Sequence, residues 1–149
     1  MSTKRTAIFL SLIIMLFSLG SYAQTKHKSS THISLATSIA NGKNIYIQNC
    51  ASCHQTDGGG AGNMNPPLIK TTYVLGNKTT LIKIILNGFS DNVEINGQTY
   101  QNTMASHDFL KDQEIADVLT YVRNSFTNKA SAVTASQVKT VRANNKPAK

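Results

Sequence analysis

Cys50-Ala51-Ser52-Cys53-His54 places two thiols three positions apart, with an imidazole directly after the second. Three chemistries use such a pair: a redox dithiol, a zinc site, and thioether attachment of a haem. A redox dithiol belongs beside a βαβ pattern, and none surrounds this pair. A zinc site needs further ligands, but the chain has no other cysteine and His27, His32 and His107 are dispersed. The full pattern C-x-x-C-H fits the third chemistry, being the attachment signature of haem c. Thiols at this spacing on a turning backbone reach the two vinyl groups of one haem. His54 then lies over the iron as its proximal ligand.

The elements that must position these groups are helical. Around Gly42, the apolar residues Ile39, Ile45 and Tyr46 share one face of a helix leading into Cys50. A glycine inside a helix costs about 1 kcal/mol against alanine, so its presence predicts close approach of another helix. A middle helix over residues 79–87 carries Leu81, Ile82, Ile84, Ile85 and Leu86, with Gly88 as its stop. Ile115, Val118, Leu119, Val122 and Phe126 recur at three- and four-residue intervals and predict a last helix. Asp112 and Glu114 fall in its first turn, where negative charge suits the helix dipole, although Lys111 is a poor cap. Asn96-Gly97 predicts a tight turn or short hairpin. Strand content is small, so the fold class is all-α.

Length and composition frame this core. The 149 residues allow one domain with tails, and 40% hydrophobic content without tryptophan makes a modest core that a bulky cofactor would fill out. Lys4 and Arg5 precede an apolar run over residues 7–19, and Ser21-Tyr22-Ala23 supplies small residues at a cleavage site. This is the layout of a secretory signal, residues 1–23, and implies a periplasmic or secreted protein. The run is shorter than the ~20 apolar residues of a spanning helix, so none remains after cleavage; the alternative is a retained anchor. Residues 24–35 are expected to form an N-terminal arm containing His27 and His32, 36–127 the domain, and 128–149 a polar tail. In that tail Val138 and Val141 thinly mark a candidate short helix.

Loss of Lys4 and Arg5 would lower the formal charge of +8 by two. Many of the remaining positives (Lys26, Lys28, Lys129, Lys139, Arg142, Lys146, Lys149) lie in the tails. Such charge could steer the chain to an acidic partner or an anionic membrane face. Scattered positives without interleaved aromatics do not fit nucleic acid.

The pattern around the cysteines resembles the class I (monohaem) cytochrome c family over roughly residues 39–126. The resemblance rests on Gly42 eight residues and Tyr46 four residues before Cys50, and on the motif itself. It rests also on the glycine-rich loop of residues 57–62 leading to Asn65-Pro66-Pro67-Leu68, similar to the family's G-P-x-L turn with Asn65 in the glycine's place. It implies three to four helices wrapped around one covalent haem c, with the first and last crossing at Gly42 and Tyr121 packed beside it. The Pro66 carbonyl would accept a hydrogen bond from the His54 ring, fixing its tautomer.

The resemblance also bears on the iron's second axial ligand. Asn102-Thr103-Met104-Ala105-Ser106 resembles the family's loop around a ligand methionine, although Ala105 stands where proline often follows. Met104 is therefore the expected ligand beside His54. Met64 follows His54 too closely to reach the other side, and His107 is the rival. With both positions filled, the expected function is outer-sphere transfer of single electrons rather than catalysis. Expected partners are redox proteins: a dehydrogenase as donor, an oxidase or another cytochrome as acceptor, each docking weakly and transiently. Similar domains with a Gly-Gln-x-Tyr segment, here Gly97-Gln98-Thr99-Tyr100, often accompany periplasmic dehydrogenases, so the resemblance leaves two forms open, a diffusible shuttle and the haem subunit of such a dehydrogenase. The alternative is a haem peroxidase, oxidase or ligand sensor with an open distal site.

Overall fold

The computed structural model describes residues 33–145. The expected export segment, the histidines of the arm (His27 and His32), and Lys26, Lys28, Lys146 and Lys149 lie outside the described residues. Among the described residues, six helices and one hairpin follow in order: α1 (Leu35–Asn49), α2 (Ala51–His54), α3 (Thr72–Leu75), α4 (Lys78–Asn87), β1 (Val93–Ile95), β2 (Gln98–Tyr100), α5 (Asp112–Asn124) and α6 (Ala135–Ala143).

Local chemistry starts and stops these elements. The Ser34 hydroxyl accepts the Thr37 N–H (3.1 Å) to open α1, and the Asn77 amide oxygen accepts the Thr80 N–H (3.1 Å) to open α4. Lys111 precedes α5 and has no acceptor to offer. Instead the Glu114 carboxylate reaches back to the Lys111 N–H at 2.7 Å, which is half of a capping box. The turn between β1 and β2 puts Asn96 and Gly97 at φ 54° and 77°, and the ladder pairs Val93 with Tyr100 and Ile95 with Gln98.

The core forms where α1 and α5 cross. A β-carbon at Gly42 would fall 2.7 Å from Tyr121 Cβ and against the Asp117 carbonyl, so only glycine fits this approach. Tyr46, Tyr121 and Phe126 form an aromatic triangle there with centroids 5.3–5.5 Å apart. The buried Asp117 carboxylate is satisfied by Ser38 (2.5 Å) and Gln113 (2.9 Å).

Phe126 departs from the expected helical face. The helix ends at Asn124, and Phe126 and Thr127 take left-handed φ values of 55° and 64°. The backbone that leaves the helix is satisfied by Asn128, whose buried side chain donates to Val122 O (2.8 Å) and Leu68 O (2.9 Å) and accepts from Lys70 N–H (2.7 Å). Periodicity cannot register such an exit, because an apolar residue just past the helix end keeps the spacing.

Beyond Asn128 the chain packs onto the same core. Thr120 and Val133 exchange two hydrogen bonds (3.0 and 3.1 Å), and a reciprocal Thr134–Gln137 box opens α6. Val133, Val138 and Val141 are buried among the residues of α4 and α5. Arg123, also buried, has no carboxylate partner among the described residues; it donates to the carbonyls of Val74 (2.5 Å) and Ser131 (2.9 Å), tying α3 to this segment.

Candidate functional site

One cavity of about 370 Å³ opens between α2, the loop before α3, α4, the hairpin and α5. Its wall is mainly apolar, with Leu68, Ile85, Phe89, Ile95, Val118 and Leu119 contributing. Cys50, Cys53, His54, Pro66 and Met104 all line it, so the residues singled out in the sequence are brought together. Met64 does not: its side chain is exposed on the loop, and its carbonyl accepts from Asn102 N–H at 3.3 Å.

His54 occupies the end of α2, where the chain turns sharply through Gln55 at φ 63°. Its Nδ1 lies 2.9 Å from the Pro66 carbonyl oxygen. A carbonyl only accepts, so Nδ1 carries the proton and the lone pair sits on Nε2. Burial pushes the His54 pKa down, outweighing the opposing pull of the Pro66 bond, and nearby His107 lowers it further. The imidazole is thus held neutral, the form that ligates a metal.

The glycine-rich loop makes this contact possible. Gly60 has φ 70°, donates its N–H to His54 O (3.0 Å), and would push a β-carbon to 2.7 Å from the Pro66 carbonyl carbon and oxygen. Any larger residue would drive the Pro66 segment away from His54.

Cys50 and Cys53 are both free thiols. Burial, and secondarily Cys53, pushes the Cys50 thiol up to about 11. A working redox dithiol has the opposite shift, toward the thiolate. Among the described residues no group of three or more His, Cys, Asp or Glu side chains is placed to hold a metal ion. The donor set instead comprises two thiols, one oriented imidazole and one thioether around an apolar cavity, which fits a flat hydrophobic cofactor bound covalently at one edge.

Met104 is fixed by its backbone. Its N–H donates to Phe89 O (2.7 Å) and its carbonyl accepts from Phe89 N–H (2.9 Å), pinning it to the chain just after α4. His107 also borders the cavity, but its Nδ1 and Nε2 face the carbonyls of Ala105 (2.9 Å) and Asn49 (3.3 Å). Its ring packs against exposed Phe109 at 5.7 Å.

Sequence reasoning missed three contributors. The Tyr46 hydroxyl donates to Gln55 O at 2.5 Å and so holds the turn after His54, whereas the helical pattern shows only its apolar ring. Tyr73 and Phe89 form an edge-on pair (5.9 Å, 73°) in the cavity wall, one on a single-turn helix and the other in a loop, where no periodicity marks them.

The chain is similar to known cytochromes c. Residues 39–126 match the family model described as cytochrome c. Cytochrome c-552 of Thermus thermophilus is 35% identical over 118 residues, covering 73% of this chain and 79% of that protein. The cytochrome c subunit of the quinone alcohol dehydrogenase of Gluconacetobacter polyoxogenes is 33% identical across 83% of this chain. The cytochrome c subunit of the gluconate 2-dehydrogenase of Pantoea cypripedii is 33% identical across 68%. This chain spans only 27% and 24% of those two subunits, so it corresponds to one part of each. The cofactor of this fold is covalent haem c, for which the two free thiols and the oriented imidazole are suited. A family match over more than half of its length, together with relatives of this similarity, shows that the chain belongs to the cytochrome c family.

Proposed function

We propose that this chain is exported and carries single electrons between redox proteins outside the cytoplasm. Cys50 and Cys53 anchor one haem c, and His54 and Met104 ligate its iron. The observation that carries this reading is the convergence of those four side chains on one apolar cavity. Haem iron, when bound, supplies a reversible one-electron couple.

The protein's own residues do the rest. The Pro66 carbonyl keeps the His54 proton on Nδ1, which presents Nε2 as a donor and makes the ring more electron-rich. Met104 brings a thioether, a soft ligand that favours ferrous iron and so raises the potential. The mainly apolar wall offers few dipoles that must turn, which lowers the rearrangement needed when charge changes. Two fixed protein ligands leave no position for oxygen or peroxide, which supports carriage of electrons over catalysis.

Export is supported by the layout of residues 1–23, and among the described residues no helix is long and apolar enough to cross a membrane. The dehydrogenase subunits among the relatives support a dehydrogenase as electron donor. A stopped-flow experiment tests the function. The reduced, haem-loaded protein should pass one electron per haem to an oxidised c-type cytochrome without consuming oxygen or peroxide. Catalytic consumption of either oxidant, or tight cyanide binding at low concentration, would instead favour an open distal site and the enzyme or sensor alternative.

A further inference from the structure

The segment past the family match closes back on the loop that bears Met104. Three donors of Arg142 on α6 converge there: Nη1 on Asp108 O (2.9 Å), Nη2 on Leu110 O (2.7 Å), and Nε on the Asp112 carboxylate (2.7 Å). Asn145, just past α6, exchanges two side-chain amide hydrogen bonds with Asn87 (2.7 and 3.2 Å) at the end of α4. That end is in turn bonded to the loop: Leu86 O accepts from Ser106 Oγ (2.8 Å), Ile85 O accepts from His107 N–H (2.8 Å), and Phe89 pairs with Met104. The loop is therefore gripped on one side by α4 and on the other by α6, and α6 also grips α4. No proline follows Met104 to stiffen this loop, because Ala105 stands there.

We propose that Arg142 is a positioning residue for Met104: its three-pronged hold on residues 108–112 keeps the Met104 sulfur from leaving the iron. A guanidinium fork suits this task, since its donors are fixed in one plane and no ammonium could meet two carbonyls and a carboxylate in the same geometry. Val138 and Val141 hold α6 on the core, so the clamp is carried by a packed element rather than by a loose tail. The inference rests on Met104 ligation as proposed above.

The test uses the full, haem-loaded ferric chain with imidazole as probe, whose nitrogen takes the iron position that the Met104 sulfur vacates. Imidazole is largely neutral at about pH 7.5, so loss of a surface charge does not itself alter encounter. Arg142→Met should speed imidazole binding about five- to thirty-fold, the factor by which loss of one charge-assisted clamp shifts a two-state opening. Amide exchange at Met104 should quicken in parallel. Arg142→Lys, which retains one charge but not the fork, should recover only part of the effect. Ser38→Ala, at the distant α1–α5 crossing, should lower the unfolding midpoint without speeding imidazole binding. If Arg142→Met lowers the midpoint but leaves imidazole binding and Met104 exchange unchanged, the clamp is merely structural and the proposal is wrong. Full recovery by lysine would also overturn it, leaving an ordinary ion pair. Failure of the underlying ligation is read separately, as a wild-type protein without a sulfur-to-iron charge-transfer band.

Discussion

Replacing Gly42 with alanine adds one methyl group at the point where α1 and α5 cross. That carbon would lie 2.6 Å from the Asp117 carbonyl carbon and 2.7 Å from Tyr121 Cβ, and closer still to the Asp117 carbonyl oxygen. Carbon atoms rest at about 3.5–4.0 Å, so the helices must part by about 1 Å. The obstacle is backbone and a Cβ, neither of which can swing aside as a flexible side chain would. Overpacking of this kind costs about 1–3 kcal/mol, and the rigid neighbours place it at the upper end. Alanine returns about 1 kcal/mol through better helix propensity. Separation would also stretch the 2.5 Å bond from Ser38 to the buried Asp117. The net expectation is a loss of about 2 kcal/mol, or about 6–10 °C in unfolding midpoint for a domain of this size. Thermal and guanidinium unfolding of the haem-loaded protein, wild type beside Gly42→Ala, measures it. A midpoint equal to or above wild type would refute the reasoning, since propensity would then outweigh a contact that is not tight.

Tyr46→Phe removes the buried donor to Gln55 O (2.5 Å) and should cost about 1–2 kcal/mol in guanidinium unfolding, and an unchanged midpoint would mean that water replaces the hydroxyl. Val138→Ala deletes two buried methyl groups from α6 and should cost about 2 kcal/mol while leaving the haem spectrum unaltered; a loss well below 1 kcal/mol would show that the segment is not part of the core. The double variant Cys50→Ser, Cys53→Ser removes covalent attachment. An unfilled 370 Å³ cavity costs up to about 9 kcal/mol at the usual volume coefficient, comparable with the whole stability of a small domain. Haem-free protein should therefore lack a cooperative unfolding transition by circular dichroism, and a sharp transition would contradict the cofactor's role as core material.

Much of this architecture could be read from residue order because the determining interactions are local. The 3.6-residue spacing of Ile115, Val118, Leu119 and Val122 marks α5. Gly88 ends α4 where expected, and Asn96-Gly97 supplies the two positive φ angles of the hairpin. The C-x-x-C-H pattern needs only adjacent residues to state its chemistry. What escaped is nonlocal. Phe126 keeps the helical spacing yet leaves the helix, because Asn128 offers its amide to carbonyls of residues 68 and 122. Segment 128–145 reads as polar because few of its apolar residues, chiefly Val133, Val138 and Val141, face inward, and its grip on the core also comes from Thr120 and the fork of Arg142. The Tyr46 hydroxyl and the edge-on Tyr73–Phe89 pair act across folds in the chain that no periodicity records.

The central claim is that His54 and Met104 both ligate a haem c bound through Cys50 and Cys53. The most direct test is the visible and near-infrared spectrum of the ferric, haem-loaded protein, with Met104→Ala as comparison. The account predicts a low-spin wild type with a sulfur-to-iron charge-transfer band that is absent from the variant. A high-spin wild type without that band would contradict it and point to an open distal site.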